Sequence, residues 1–145
     1  MFKHLLLPTD GSLASEKAIR RALELAREGG AKVTGLHVVQ PFHMLTYDVV
    51  MIEETRASYE ANARAAAKRY LDEIERGAKE LGVSVATRVV FAEHPYEAII
   101  RTADDEGCDL IVMASHGRRG MQAVLMGSET HKVLTHSTTP VLVLR

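Results

Sequence analysis

Three glycines, Gly117, Gly120 and Gly127, fall in one stretch that leads directly into Ser128 and a helix-forming run ending near His136. Glycine lets a backbone turn tightly and brings its N–H groups close to a ligand. The start of a helix adds unpaired amides and the positive end of the helix dipole. Together these make a cradle for a phosphate or another small anion. Ser128 and Thr130 offer hydroxyl groups to it, and Arg118 and Arg119 bring positive charge nearby. A second candidate is Asp10, within Pro8-Thr9-Asp10-Gly11-Ser12. A carboxylate at the end of a strand can accept hydrogen bonds from ribose hydroxyls or hold a hydrated Mg²⁺. It can equally form an Asx-type cap on the next helix, and the two roles are compatible. Likewise, the glycines can form a plain surface loop with Ser128 as a helix cap. Spacing alone leaves those two readings level.

Other chemistries are excluded by what is missing. No lysine follows a suitable glycine in a G-x-x-x-x-G-K-[ST] pattern, and no G-x-G-x-x-G follows the first apolar run, so the P-loop and dinucleotide fingerprints are absent. Seven histidines form no H-E-x-x-H pair, and the one cysteine, Cys108, supports no zinc cluster. His116, inside the glycine loop, is expected to be solvated. No Ser-His-Asp or Cys-His arrangement is identifiable. Hydrolysis of a nucleoside triphosphate needs a positioned water as well as a phosphate cradle, so any turnover is expected to be slow.

The elements that must position these residues follow from periodicity. Leu5-Leu6-Leu7 is continuously apolar and stops at Pro8, the pattern of a strand covered on both faces. Ile19, Ala22, Leu23 and Ala26 recur at helical spacing, with Ser12 or Ser15 as N-cap and Gly29-Gly30 as the stop. Lys32 to Val39 reads as a strand. The stretch from Pro41 to about Ile52 shows no clear pattern and reads as loop plus the start of a helix, with Glu53, Glu54 and Arg56 as a solvated helix start. Tyr59, Ala63, Ala66, Tyr70, Ile74, Ala78 and Leu81 then trace an apolar helical stripe ending at Gly82. A strand over 83–91, a helix from Pro95 to near Gly107, a strand over 110–114, the helix after Gly127 and a strand over 141–144 complete the order. Alternating strands and helices predict an α/β fold with a five-stranded parallel sheet sandwiched by helices. In such sheets ligands bind beyond the carboxyl ends of the strands. Asp10 and the glycine loop both fall there.

Composition bounds the function further. The 145 residues carry 18 Lys and Arg against 19 Asp and Glu, a formal charge of −1. That balance argues against a nucleic-acid partner, which needs clustered basic side chains. One domain over 1–145 is expected. A single cysteine points to a reducing compartment, and no apolar run approaches the ~20 residues of a membrane span. With no signal-peptide pattern at the start, the expected location is cytoplasmic. The last strand, Val141 to Leu144, has no helix after it, and an apolar edge of that kind invites pairing with a second copy. The alternative is an edge protected by Pro140 and Arg145.

Ala114-Ser115-His116-Gly117, then nine residues, then Gly127-Ser128 resembles the G-x2-G-x9-G-[ST] motif of the universal stress protein family. Pro8 to Ser12, Leu36 to Val39, Asp109 to Met113 and Pro140 to Leu144 also resemble that family, so the likeness spans the chain. Ala114 stands where the motif has its first glycine, a departure of one methyl group. The resemblance implies a Rossmann-like, adenine nucleotide alpha hydrolase-like sheet in strand order 3-2-1-4-5, and dimers formed through the last strand. It implies ATP with Mg²⁺ or Mn²⁺ in one branch and no nucleotide in another. By position, Pro8, Thr9 and Asp10 match residues that approach adenine and ribose, with Asp10 the candidate metal contact. Val38 matches the residue whose backbone meets the adenine edge. Met113, Ala114, Gly117, Arg118, Gly127, Ser128, Glu129 and Thr130 match the stretch around ribose and phosphates. Glu129 replaces a usually neutral side chain, so only its backbone N–H carries over. The implied function is an ATP-binding, dimeric regulatory or sensor protein of the stress response. A nucleotide-free interaction module of the same fold and a slow ATPase are the alternatives.

Overall fold

The computed structural model describes residues 1–42, 49–117 and 126–145. Five parallel strands, β1 (His4–Pro8), β2 (Lys32–Val39), β3 (Val85–Phe91), β4 (Leu110–Ala114) and β5 (Val141–Leu144), form one sheet in the order β3-β2-β1-β4-β5. Helices α1 (Leu13–Gly29), α2 (Val49–Glu80), α3 (Pro95–Glu106) and α4 (Ser128–His136) connect them. Both the expected fold class and the expected strand order are observed.

The apolar runs of the central strands are continuous because their side chains alternate between two cores. Leu5, Leu7, Val33, Leu110 and Val112 pack with Ala22, Leu23 and Ala26 of α1 and with Leu71, Ile74 and Ala78 of α2. Leu6, Leu36, Ile111 and Met113 face the opposite side, with Ile99 and Ala103 of α3 and Val133 of α4. Two polar ties set the start of β1. The Asp109 carboxylate accepts the N–H of His4 at 2.9 Å and of Lys3 at 2.9 Å. Partial desolvation opposes its ionisation, but those two amides outweigh it and hold the carboxyl below its ordinary value. The buried His4 ring bonds Thr34 Oγ1 of β2 at 2.7 Å. Burial, reinforced by Lys32, keeps this imidazole below its usual pKa.

Ser12 is the N-cap of α1: its hydroxyl accepts the Ser15 N–H at 3.2 Å. One boundary differs from the sequence expectation. β3 begins at Val85 rather than 83, because the chain after Gly82 (φ 69°) is still finishing α2: the Val83 N–H donates to Ala78 O at 2.8 Å, so it is not available to the ladder. Helix α2 starts at Val49, inside the 41–52 stretch read as loop plus a helix start, of which residues 43–48 lie outside the described residues. At 1.5 Å per residue its length is about 48 Å, so its N-terminal part runs past the carboxyl ends of the strands. Cys108 is buried between α3 and the sheet, and burial, with Glu106 and Asp109 nearby, pushes its thiol up to about 11. A thiol held that far from ionisation is inert at neutral pH. Among the described residues no helix is long and apolar enough to cross a membrane.

Candidate functional site

The sheet reverses its winding between β1 and its two neighbours, β2 on one side and β4 on the other. At that switch point the carboxyl ends of β1, β2 and β4 open into a cleft of about 500 Å³. This volume is in the range of small-molecule sites.

One wall is the β1–α1 loop. Thr9 is buried, and its N–H donates to Leu36 O of β2 at 2.8 Å. Asp10 Oδ1 accepts the Ser12 N–H at 2.9 Å and the Ser15 hydroxyl at 2.8 Å, so this oxygen stabilises the start of α1. Its other oxygen, Oδ2, faces the β4–α4 loop: a Cβ placed on Gly117 would lie 2.1 Å from it. The two oxygens therefore divide the two roles open to Asp10 in the sequence. One caps α1 and the other borders the cleft.

The opposite wall is made by His116 and Gly117 after β4, by Gly127, and by the start of α4. The Gly127 N–H donates to Ser115 O at 2.7 Å, which ties the residue before α4 to the end of β4. The first intrahelical bond of α4 runs from the His131 N–H to Gly127 O at 2.9 Å, so the amides of Ser128, Glu129 and Thr130 precede it. Thr130 is buried and its hydroxyl donates to Ala114 O at 2.9 Å, a bond that ties α4 to β4. Its hydroxyl is thus engaged within the protein, and the donor it can present is its N–H. Glu129 turns its carboxylate toward α3, where Oε2 accepts the Tyr96 N–H at 2.8 Å.

Pro8, Thr9, Asp10, Val38, Met113 and Ala114 all line this cleft, as do Gly117, Gly127, Ser128, Glu129 and Thr130. Arg118 lies outside the described residues. His116 is exposed, with its Nδ1 at 3.0 Å from Ser115 Oγ. Sequence reading missed a third wall. Tyr59, Ala63, Ala66 and Tyr70 of α2 face the cleft, and Tyr70 stands edge-on to His37 with ring centroids 5.2 Å apart. The His37 Nδ1 lies 2.7 Å from Thr9 O; a carbonyl only accepts, so Nδ1 carries the proton. The Tyr59 hydroxyl donates to Gln40 O at 2.6 Å and pins α2 to the end of β2. Pro95 and Ile99 of α3 complete the lining.

A family model described as the universal stress protein family matches residues 1–145. The chain belongs to the universal stress protein family. Universal stress protein YxiE of Bacillus subtilis is 34% identical, with all of both chains covered. Universal stress protein MJ0577 of Methanocaldococcus jannaschii is 29% identical over all of this chain and 96% of its own. The solved structure of MJ0577 superposes with a TM-score of 0.85 at 30% identity, covering 99% of this chain and 96% of that one. A universal stress protein solved in complex with cAMP is 25% identical, with a TM-score of 0.71 and coverage of 99% and 97%. Among the described residues of this family member, no group of three or more His, Cys, Asp or Glu side chains is arranged to hold a metal ion by itself.

Proposed function

We propose that this protein binds ATP, together with Mg²⁺ or Mn²⁺, and acts as a dimeric regulator or sensor of the cytoplasmic stress response, as one domain over 1–145. The observation that carries this reading is the cleft at the switch point, where two glycines leave the space a side chain would fill. At Gly117 that space borders a carboxylate, and at Gly127 it borders the Ser115–Gly117 backbone. The relative solved with cAMP supports an adenine nucleotide as the ligand class.

In this reading Pro8, Thr9 and the Val38 backbone meet adenine, and Asp10 Oδ2 meets ribose. The amides of Ser128, Glu129 and Thr130 take the phosphates at the start of α4, assisted by Met113, Ala114, Gly117, Gly127 and Arg118. A bound divalent ion supplies charge neutralisation for the phosphates, and Asp10 is the protein carboxylate placed to share it. No residue is assigned the role of activating a water.

Denaturing the purified protein and analysing the released small molecules is expected to yield an adenine nucleotide. ATP with Mg²⁺ at about 100 times its Kd is expected to stabilise the fold by about 2.7 kcal/mol. For a chain of this size that raises Tm by about 5–10 °C. Neither released nucleotide nor a shift in Tm would leave the nucleotide-free interaction module as the reading. Phosphate release well above background, lost in Asp10→Asn, would favour the slow ATPase.

We further propose that two copies pair along β5, the edge strand at whose centre Leu142 is 37% exposed. Leu142→Glu places a charge in that contact. Sedimentation velocity is expected to give two chains for the wild type and one for the variant, with unchanged far-UV circular dichroism. Two chains in both would discard the β5 interface.

A further inference from the structure

Helix α3 begins without a cap of its own. Its N-cap, His94, makes no side-chain capping bond, and Pro95 at the first helical position has no N–H. The next amides, of Glu97 and Ala98, return to His94 O at 3.1 and 3.3 Å. This leaves the Tyr96 N–H, and it is satisfied from another helix: Glu129 Oε2 accepts it at 2.8 Å. Glu129 stands in the first turn of α4, half-buried, and its Oε1 is paired with Lys132 Nζ at 3.3 Å. The same helix also holds the Tyr96 ring. Lys132 Nζ lies 5.5 Å from its centroid, and the His136 ring lies 5.4 Å away. One residue of α3 is thus gripped by three residues of α4.

Both helices line the cleft, α3 with Pro95 and Ile99 and α4 from its first turn. We propose that Glu129 is a positioning residue of the cleft: its carboxylate ties the start of α4 to the start of α3 through Tyr96, and so sets the gap between the Ser128–Thr130 amides and the Pro95–Ile99 wall. The inference rests on the nucleotide reading for its effect on affinity, while the brace itself is a property of the free protein. A carboxylate suits the position because it lies in the first turns of two helices at once, where both dipoles favour negative charge. Lys132 balances that charge, which would otherwise oppose a phosphate bound nearby.

The test compares Glu129→Ala with Glu129→Gln in the full chain, by calorimetric titration with AMP and by amide hydrogen exchange at Tyr96. The carboxamide oxygen of the glutamine variant still accepts the Tyr96 N–H, so this variant is expected to keep slow exchange and an AMP affinity within about threefold of wild type. The alanine variant is expected to exchange faster at Tyr96 and to bind AMP about tenfold more weakly. Wild-type affinity in the alanine variant would overturn the positioning role. Tighter binding by both variants would also overturn it, because the carboxylate would then be acting only as a repulsive charge. If the wild type binds neither AMP nor ATP with Mg²⁺, it is the nucleotide reading that falls. The brace is then judged by exchange alone: unchanged exchange in Glu129→Ala overturns it, and faster exchange sustains it.

Discussion

Gly117→Ala is expected to abolish adenine-nucleotide binding and to loosen the start of α1 at the same time. The added Cβ would lie 2.1 Å from Asp10 Oδ2, far inside ordinary van der Waals contact. The carboxylate cannot swing away freely, because its other oxygen accepts the Ser12 N–H at 2.9 Å and the Ser15 hydroxyl at 2.8 Å. Either the β4–α4 loop lifts off the cleft or Asp10 gives up its hold on α1. Losing bonds to a charged acceptor costs about 1–3 kcal/mol, which lowers Tm by about 2–4 °C for each kcal/mol in a chain of this size. Calorimetric titration is expected to show AMP affinity falling by more than about tenfold, 1.4 kcal/mol or more. Asp10→Asn separates the two roles, since its amide oxygen can still accept from Ser12. This variant should keep most of the apo Tm while losing the Mg²⁺ dependence of ATP binding. A Gly117→Ala protein with wild-type Tm and affinity would remove Asp10 and Gly117 as facing walls of one site.

The elements were legible because each has a local cause. Leu5-Leu6-Leu7 and Leu110 to Met113 are apolar without alternation because successive side chains enter different cores. The glycine loop and Ser128 were legible because a helix start leaves a short-range signature. The third wall of the cleft was not. Tyr59, Ala63, Ala66 and Tyr70 belong to the same stripe as Ile74 and Ala78, and period 3.6 reports only that this face is covered. Ile74 and Ala78 are covered by the sheet, whereas the other four line the cleft. The division falls where the strands end, and that is set by register between distant segments. The first turns of α2, from Val49, precede the apolar stripe that begins at Tyr59, and Arg56, Ala57 and Ser58 in between are exposed, so no apolar period carries the helix back to its first residue. Glu129 was read through its backbone alone. Its carboxylate meets a residue 33 positions earlier in the chain, and no spacing rule reaches that far.

Gly127→Val is expected to remove nucleotide binding by a different route, with little loss of stability. The Gly127 backbone, at φ −56° and ψ 145°, is open to any L residue, so its glycine is not a conformational requirement. What constrains it is space, since a Cβ would sit 3.1 Å from His116 Cα and 3.4 Å from Ser115 O. Those neighbours are backbone, and the Gly127 N–H is bonded to the same Ser115 O at 2.7 Å. They cannot retreat without opening the loop that faces the start of α4. One methyl group needs a shift of only a few tenths of an ångström, so Gly127→Ala is expected to weaken AMP binding by about threefold. The two γ-carbons of valine exceed what that loop can absorb and should cost more than about tenfold, 1.4 kcal/mol or more. Gly127 is partly exposed and outside both cores, so Tm of the free protein should move by about 2 °C or less. A large fall in Tm would mean that valine acts through folding and not through the site. Equal affinity in wild type, alanine and valine forms would mean that phosphate does not approach this backbone, and the cradle at the start of α4 would have to be abandoned.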